Sequence, residues 1–532
     1  MAFSNFLRMS VWRVKRAPAA ATECVNQESR VSSDAVARNA FTHGPLGAIF
    51  ARTALPIILV MSMHGLLTVV DAIFLGVFVG PDALGAVTLM FPVYMLMVAL
   101  TSLVTSGMSS LIARHIGGGR FDDARAIFTG AHGLALVISS GLILMFLTFG
   151  RQLTLLAAGG SAPLAEMGHT FLSITVLFSP IVFLLSVNSD ALRSEGRIGF
   201  MASMSLLVSL ANIAFNYVLI ALIGLGVAGS AYGTVMANAL AFSIILAFRL
   251  RGRTELRLSA VLRYSPTSGW RQILALGAPQ SLNFIGIALI SAAVIAALQI
   301  EAGKSYDATV SAYGIITRIM TFVFLPLLGF SHALQAIVGN NYGANLWRRS
   351  DESLRLGVSI ALVYCLAVEI ILTGFAHPVA LLFVNEGKVA GEVARIMPVM
   401  LAMFFAAGPL VMIATYFQAI GDAGRAAVLG LAKPYAFATP LIFLLPFAYG
   451  EQGIWFAGPV SEILLLCLTA IILMGSARDN KLKWGLFKTT GQMAGINGFA
   501  AVPANRYEFT LQEEALMHHS SPSLGFEQTS SL

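Results

Sequence analysis

Few residues in this chain could do chemistry, and most of those lie where a charge is costly. The stretch HGLLTVVDAIFLG (64–76) sets Asp71 inside a long apolar run. A carboxylate at that depth of a bilayer costs about 2.5–3.5 kcal/mol on insertion scales, so it is expected to be kept for a use. His64, Thr68 and Asp71 recur at helical spacing and share one stripe. Asn212 and Asn216, in a later run, lie four residues apart on one face. A carboxylate in low dielectric can exchange a proton near neutral pH. Together with the two amide oxygens it also offers a ligand set for Na+. Asp71, Asn212 and Asn216 are therefore the candidates for binding a cation.

A second set of polar residues interrupts the apolar runs. Gln280, Asn283, Arg318 and Gln418, with His64 and Thr68, are the candidates for lining a substrate cavity. Arg318 needs a partner facing the interior, and Glu369 and Glu462 are the acids available to it. Asp190 and Glu195 flank Arg193 and suggest a local ion-pair cluster. Asp422 reads as a helix-end charge. His132 and His332 read as hydrogen-bonded packing residues.

Enzyme chemistry finds no foothold. The three cysteines, Cys24, Cys365 and Cys467, have no disulfide or metal spacing. EAGKS (301–305) lacks the upstream glycine of a phosphate-binding loop and follows an apolar helix, not a strand. No cofactor or resident metal is expected, and no His/Asp/Cys cluster marks a membrane-embedded enzyme.

The elements that must position these residues follow from composition. Of 532 residues, 57% are hydrophobic and 11% charged, with mean hydropathy +0.80. Soluble domains carry about 25% charged residues. Apolar runs of bilayer-spanning length recur throughout, and lipid cannot satisfy open backbone groups, so the spans must be helices. Twelve are expected: 54–78, 84–112, 126–149, 166–191, 199–222, 227–250, 270–299, 308–337, 353–376, 393–420, 426–448 and 453–474. Arginines crowd the loops after spans 2, 4, 6 and 8, with Arg425 and Lys433 after span 10. The alternate loops are nearly free of them. Lys and Arg favour the cytoplasmic side, so both termini are expected there, in the inner (plasma) membrane. The net charge of +7 then suits anionic lipid headgroups, not nucleic acid.

The chain also repeats itself. ALPIIL opens span 1 and LGAPQSL opens span 7; IARHIGGGRFDDAR follows span 2 and VGNNYGANLWRRSD follows span 8. ALRSEGR and QAIGDAGR end spans 4 and 10. Two six-helix lobes of equal orientation are implied, with substrate between them. The expected division is a cytoplasmic tail (1–44), a first lobe (45–250), a basic linker (251–269), a second lobe (270–475) and a disordered cytoplasmic tail (476–532). Pro56, Pro92, Pro180, Pro279, Pro326 and Pro409 are candidate kinks. Runs of Met and Phe such as MPVMLAMFFAAGPLVMI suit an adaptable cavity or a lipid face.

Three segments carry a family resemblance. ALPIIL…VVDAIFLGVFVGPDALGAV resembles the first helix pair of the multidrug and toxic compound extrusion (MATE) family. SAYGIITRIMTFVFLPLLGFSHALQAIVGNNYGA (311–344) resembles its eighth-helix region, and YFQAIGDAGRAAVLGL its tenth-to-eleventh helix turn. The resemblance covers about 45–475. It implies an all-α, two-lobed, twelve-helix secondary antiporter. Its members expel amphipathic, often cationic, organic compounds in exchange for H+ or Na+. Proton-coupled members carry an acid at the place of Asp71. Where archaeal-type members have Asp, this chain has Asn216, which removes an ionisable partner. Span 7 lacks the Glu of sodium-coupled members. The wider superfamily includes exporters of lipid-linked saccharides, and such a flippase is the alternative reading. A monomer is expected.

Overall fold

In the computed structural model, residues 39–252, 254–257, 259–301, 306–384, 387–480 and 486 are described. Both expected tails lie largely outside them, as do Cys24 and residues 302–305 of EAGKS. Regular structure among the described residues is entirely helical.

Among the described residues, ten helices are long and apolar enough to cross a membrane, and two further spans are each broken into a bent pair. Span 1 is Leu46–Phe78, span 2 Phe91–Gly117 and span 3 Phe121–Ala157. Span 4 is Ala162–Leu177 plus Ser179–Ser194, bent by 50°. Span 5 is Ile198–Leu222, whose last six residues, Tyr217–Leu222, form a π-helix. Span 6 is Gly226–Leu250, span 7 Trp270–Glu301, span 8 Tyr306–Gly343 and span 9 Trp347–Gly374. Span 10 is Gly387–Leu401 plus Phe404–Ile420, bent by 46°. Span 11 is Ala423–Tyr449, with a π-helix over Ala432–Ala438, and span 12 is Glu451–Asn480.

The bends correct one expectation in part. Pro180 follows the break in span 4, where the ring tolerates the first turn of a new helix. The break in span 10 falls at residues 402–403, between Pro398 and Pro409, and at neither proline. Pro56, Pro279, Pro326 and Pro409 lie inside helices. A separate helix, Pro81–Leu89, precedes span 2, because the run from residue 84 onward divides at Met90.

The halves formed by spans 1–6 and 7–12 meet at the end that carries the basic loops. Spans 2 and 7 touch backbone to backbone there. A Cβ on Gly107 would overlap the Ile273 carbonyl oxygen, and one on Gly277 would overlap that of Leu103. Only glycine permits this approach. Ser110 donates to the Gln418 carbonyl. Arg114 Nη1 donates to the Ile420 carbonyl (3.2 Å), and Gln335 Nε2 to the Ser106 carbonyl (3.2 Å). Asn39 Nδ2 donates to Asn340 Oδ1 (2.7 Å), and Asn341 Nδ2 to the Phe41 carbonyl (3.2 Å). Residues 39–44 are therefore a brace across the seam, although the sequence suggests a plain tail. The described part of 251–269 is also tied down: Arg125 donates to the Glu255 carbonyl (3.1 Å) and Leu256 is fully buried.

A buried apolar cluster lies beside this seam, with Met108, Ile112, Phe128, Phe183 and Ile273 among its members. Beneath it Arg249, 1% exposed, pairs with Glu195 (3.4 Å) and donates to the Leu256 and Asn188 carbonyls. Arg193 pairs with Asp190 (2.9 Å) and donates to Ser109 (3.3 Å). The single cluster expected of Asp190, Arg193 and Glu195 is thus two separate pairs.

Candidate functional site

Span 1 delivers Asp71 well inside its length, half-buried, against span 5. Asn216 Nδ2 donates both of its protons, one to Asp71 Oδ1 (2.7 Å) and one to Asn212 Oδ1 (3.0 Å). Asn212 Nδ2 in turn donates to Thr234 Oγ1 of span 6 (2.8 Å). The result is a ladder from span 1 through span 5 to span 6. Asn212 and Asn216 are 1% and 0% exposed, so lipid and bulk water are both excluded from its inner rungs.

Two features give the ladder chemical capacity. Asn216 Oδ1 is buried without a hydrogen-bond partner. An orphaned oxygen in such a place is normally costly and needs a ligand or a function to explain it. Asp71, by contrast, is held by a neutral amide, and no cation is paired with it among the described residues. A carboxylate beside an orphaned carbonyl oxygen can receive a proton or a small cation. Geometry holds the orphan in place: a Cβ on Gly233 would overlap Asn216 Oδ1, so span 6 can approach span 5 only because residue 233 is glycine. The ladder sits just before the π-helix Tyr217–Leu222, and π-bulges are frequent at functional sites.

The remaining candidates are dispersed. Thr68 turns its hydroxyl back onto the His64 carbonyl (3.1 Å), and both residues are exposed one and two turns from Asp71. Gln280 and Asn283 are half-buried on span 7. Gln418 is buried in the closed seam, where it donates to the Leu276 carbonyl (2.7 Å). Arg318 is exposed and not enclosed, which corrects its reading as a buried cation in need of an acid. Neither acid offered to it is paired with it. Glu369 accepts the Phe405 backbone N–H (2.7 Å), and Glu462 binds Lys433. Asp422 caps the first turn of span 11 by accepting the Arg425 N–H (3.0 Å). His132 is buried between the Phe128 carbonyl (2.8 Å) and Asn188 (3.0 Å), as a packing histidine should be.

Sequence reasoning missed Thr234, Gly233 and the Lys433–Glu462 pair. Thr234 and Gly233 carry no intrinsic signal within AYGTVMAN. Lys433 does: it stands ten residues into span 11, although it reads at first as a loop charge after span 10.

About ten residues beyond the Leu103–Gly277 contact, Tyr94 and Ile287 are 44% and 55% exposed. A cavity of about 420 Å3 lies at the basic end of the seam, lined by Arg114, His115, Arg120 and Gln272, and apart from Asp71.

Known proteins share this fold. The MatE family model matches residues 56–218 and again 281–444, once in each half. The FAD transporter of Shewanella oneidensis is 24% identical over 80% of this chain and 94% of its own length. The multidrug export protein MepA of Staphylococcus aureus is 22% identical over 82% and 96%. A solved structure of a multidrug resistance MATE family transporter in an outward-facing conformation superposes with a TM-score of 0.73 at 22% identity, covering 80% of this chain and 94% of that one. A MOP superfamily transporter from Pyrococcus furiosus gives 0.74 at 22% identity, covering 81% and 96%. The doubled family match and the twelve-span architecture agree: the chain is a multi-pass membrane transporter, not an enzyme, and belongs to the MatE family.

Proposed function

We propose that the protein is a secondary antiporter. It exports amphipathic, often cationic, organic compounds in exchange for H+ or Na+, with Asp71 as the coupling group. The observation that carries this reading is Asp71 itself, a carboxylate well inside a span whose bonded partner is a neutral amide. Such a group can alternate between a coupling cation and a cargo cation at modest cost, because no fixed positive charge must be displaced. Asn216 contributes an amide proton to the carboxylate and an orphaned oxygen to a bound cation. Asn212 and Thr234 hold that amide in place.

The basic loops set the orientation. Lys and Arg are retained on the cytoplasmic side, so the closed seam faces the cytoplasm and the opposite ends of spans 2 and 7 face outward. In this state Asp71 is reached from outside. Cation binding there need only favour one state over the other to drive export. The likeness to a relative named as an FAD transporter favours a second reading, in which the cargo is a phosphorylated amphiphile.

Dye accumulation in inside-out vesicles tests the reading. An imposed proton or sodium gradient should drive ethidium uptake by the wild type. Unchanged uptake after both gradients are dissipated would overturn the coupling.

A further inference from the structure

The second half holds an ionic pair that the coupling site does not use. Lys433 of span 11 binds the Glu462 carboxylate of span 12. Lys433 lies about 15 Å along its span and Glu462 about 16 Å along its own, so the pair is near mid-membrane. Ionisable groups at that depth are costly and mark substrate or ion pathways.

The two partners differ in access. The Glu462 side chain is 7% exposed, and its second oxygen is buried without a partner. The Lys433 side chain is 30% exposed. A charge at this depth is costly in hydrocarbon, which favours water inside the protein on the open side of Lys433. The ammonium has three N–H donors, of which the Glu462 carboxylate takes one. The segment that carries it is fixed: Tyr435 OH donates to the Leu282 carbonyl of span 7 (2.8 Å), within the π-helix Ala432–Ala438.

We propose that Lys433 is a cargo-binding residue that takes an acidic group, carboxylate or phosphate, through its free donors, with Glu462 as the buried counter-ion that positions it and damps its charge. The site would admit zwitterionic and acidic amphiphiles beside the cationic ones. It rests on the transporter reading above.

A matched dye pair tests this, because rhodamine 110 is the free acid of the methyl ester rhodamine 123. Binding of both to the purified, full-length protein is measured by fluorescence polarisation. Lys433→Gln should weaken the acid about five- to tenfold and the ester less than twofold. Glu462→Gln unmasks the ammonium and should shift the acid the opposite way, to tighter binding. A merely structural pair would move both dyes alike and both variants in one direction, which would overturn the proposal. Equal affinities of the acid in wild type and in the charge-free Lys433→Gln/Glu462→Gln variant would also overturn it. That double variant removes both charges together and so avoids a buried unpaired acid. If wild type bound neither dye, the cargo class of the preceding section would fail as well, a pattern distinct from the other two.

Discussion

Both halves build a polar cluster between their fifth and sixth spans but give it different electrostatics. Each cluster lies beside a π-helix in the fifth span. In the first half an acid, Asp71, accepts from an amide that is itself tied to a second amide and, through it, to a hydroxyl. In the second an acid, Glu462, meets an ammonium. The difference teaches what each can do. An acid bonded to neutral groups can accept a cation without losing an ion pair. An acid locked to a lysine cannot, because freeing it leaves a charge uncompensated in low dielectric. The first cluster is therefore suited to exchange and the second to recognition.

The largest expected effect would break that comparison most sharply. Asp71→Asn should bring gradient-driven dye uptake to background, while Glu462→Gln keeps most of it. Equal losses in the two variants would show that the halves share the coupling task.

A third acid marks the limit of a purely structural pair. Glu195 and Arg249 are fully buried at the basic end, with no open side. Arg249→Met should lower stability by about 3–5 kcal/mol, as breaking a buried pair does, and Glu195→Met added to it should restore most of the loss. Thermal unfolding in detergent reads both. A similar rescue of transport by doubling the mutations at Lys433 and Glu462 would place that pair in the same structural class.

Smaller changes sharpen the first cluster. Asn216→Ala removes the orphaned oxygen from the proposed cation site and should weaken Na+ affinity about tenfold, the cost of one lost polar contact to a charge. The concentration of ion that gives half-maximal transport measures it. Thr234→Val removes only the outermost rung. Interhelical hydrogen bonds in membranes average about 0.6 kcal/mol, so the same measurement should shift by about threefold or less.

The sequence is legible where its signals are long-range and redundant. Twelve apolar runs, alternating loop charge and collinear repeats all point to the same fold, and span 5 (199–222) and span 6 (227–250) lie within a residue of the helices found. Helix ends are less legible. Spans 3 and 8 run on past their apolar stretches as Phe121–Ala157 and Tyr306–Gly343, because a helix continues into water wherever its backbone stays bonded. Among polar residues, Asp71, Asn212 and Asn216 are visible because charge and amides are rare in apolar runs. Thr234 and Gly233 are not, since a threonine or glycine is unremarkable in any membrane helix. Gln418 misleads because a polar residue in an apolar run serves equally well as a seam fastener. Arg318 misleads because its depth along span 8 says nothing of which way it points.

The central claim is that Asp71 trades its cation for cargo, and the most direct measurement is ion release on binding. Purified protein in lightly buffered, sodium-free detergent is titrated with ethidium, and protons released per dye bound are counted; a parallel titration in Na+ follows sodium release. The account predicts release of up to one cation per dye from the wild type and none from Asp71→Asn. Dye binding without release of either ion, or equal release from the variant, would contradict it.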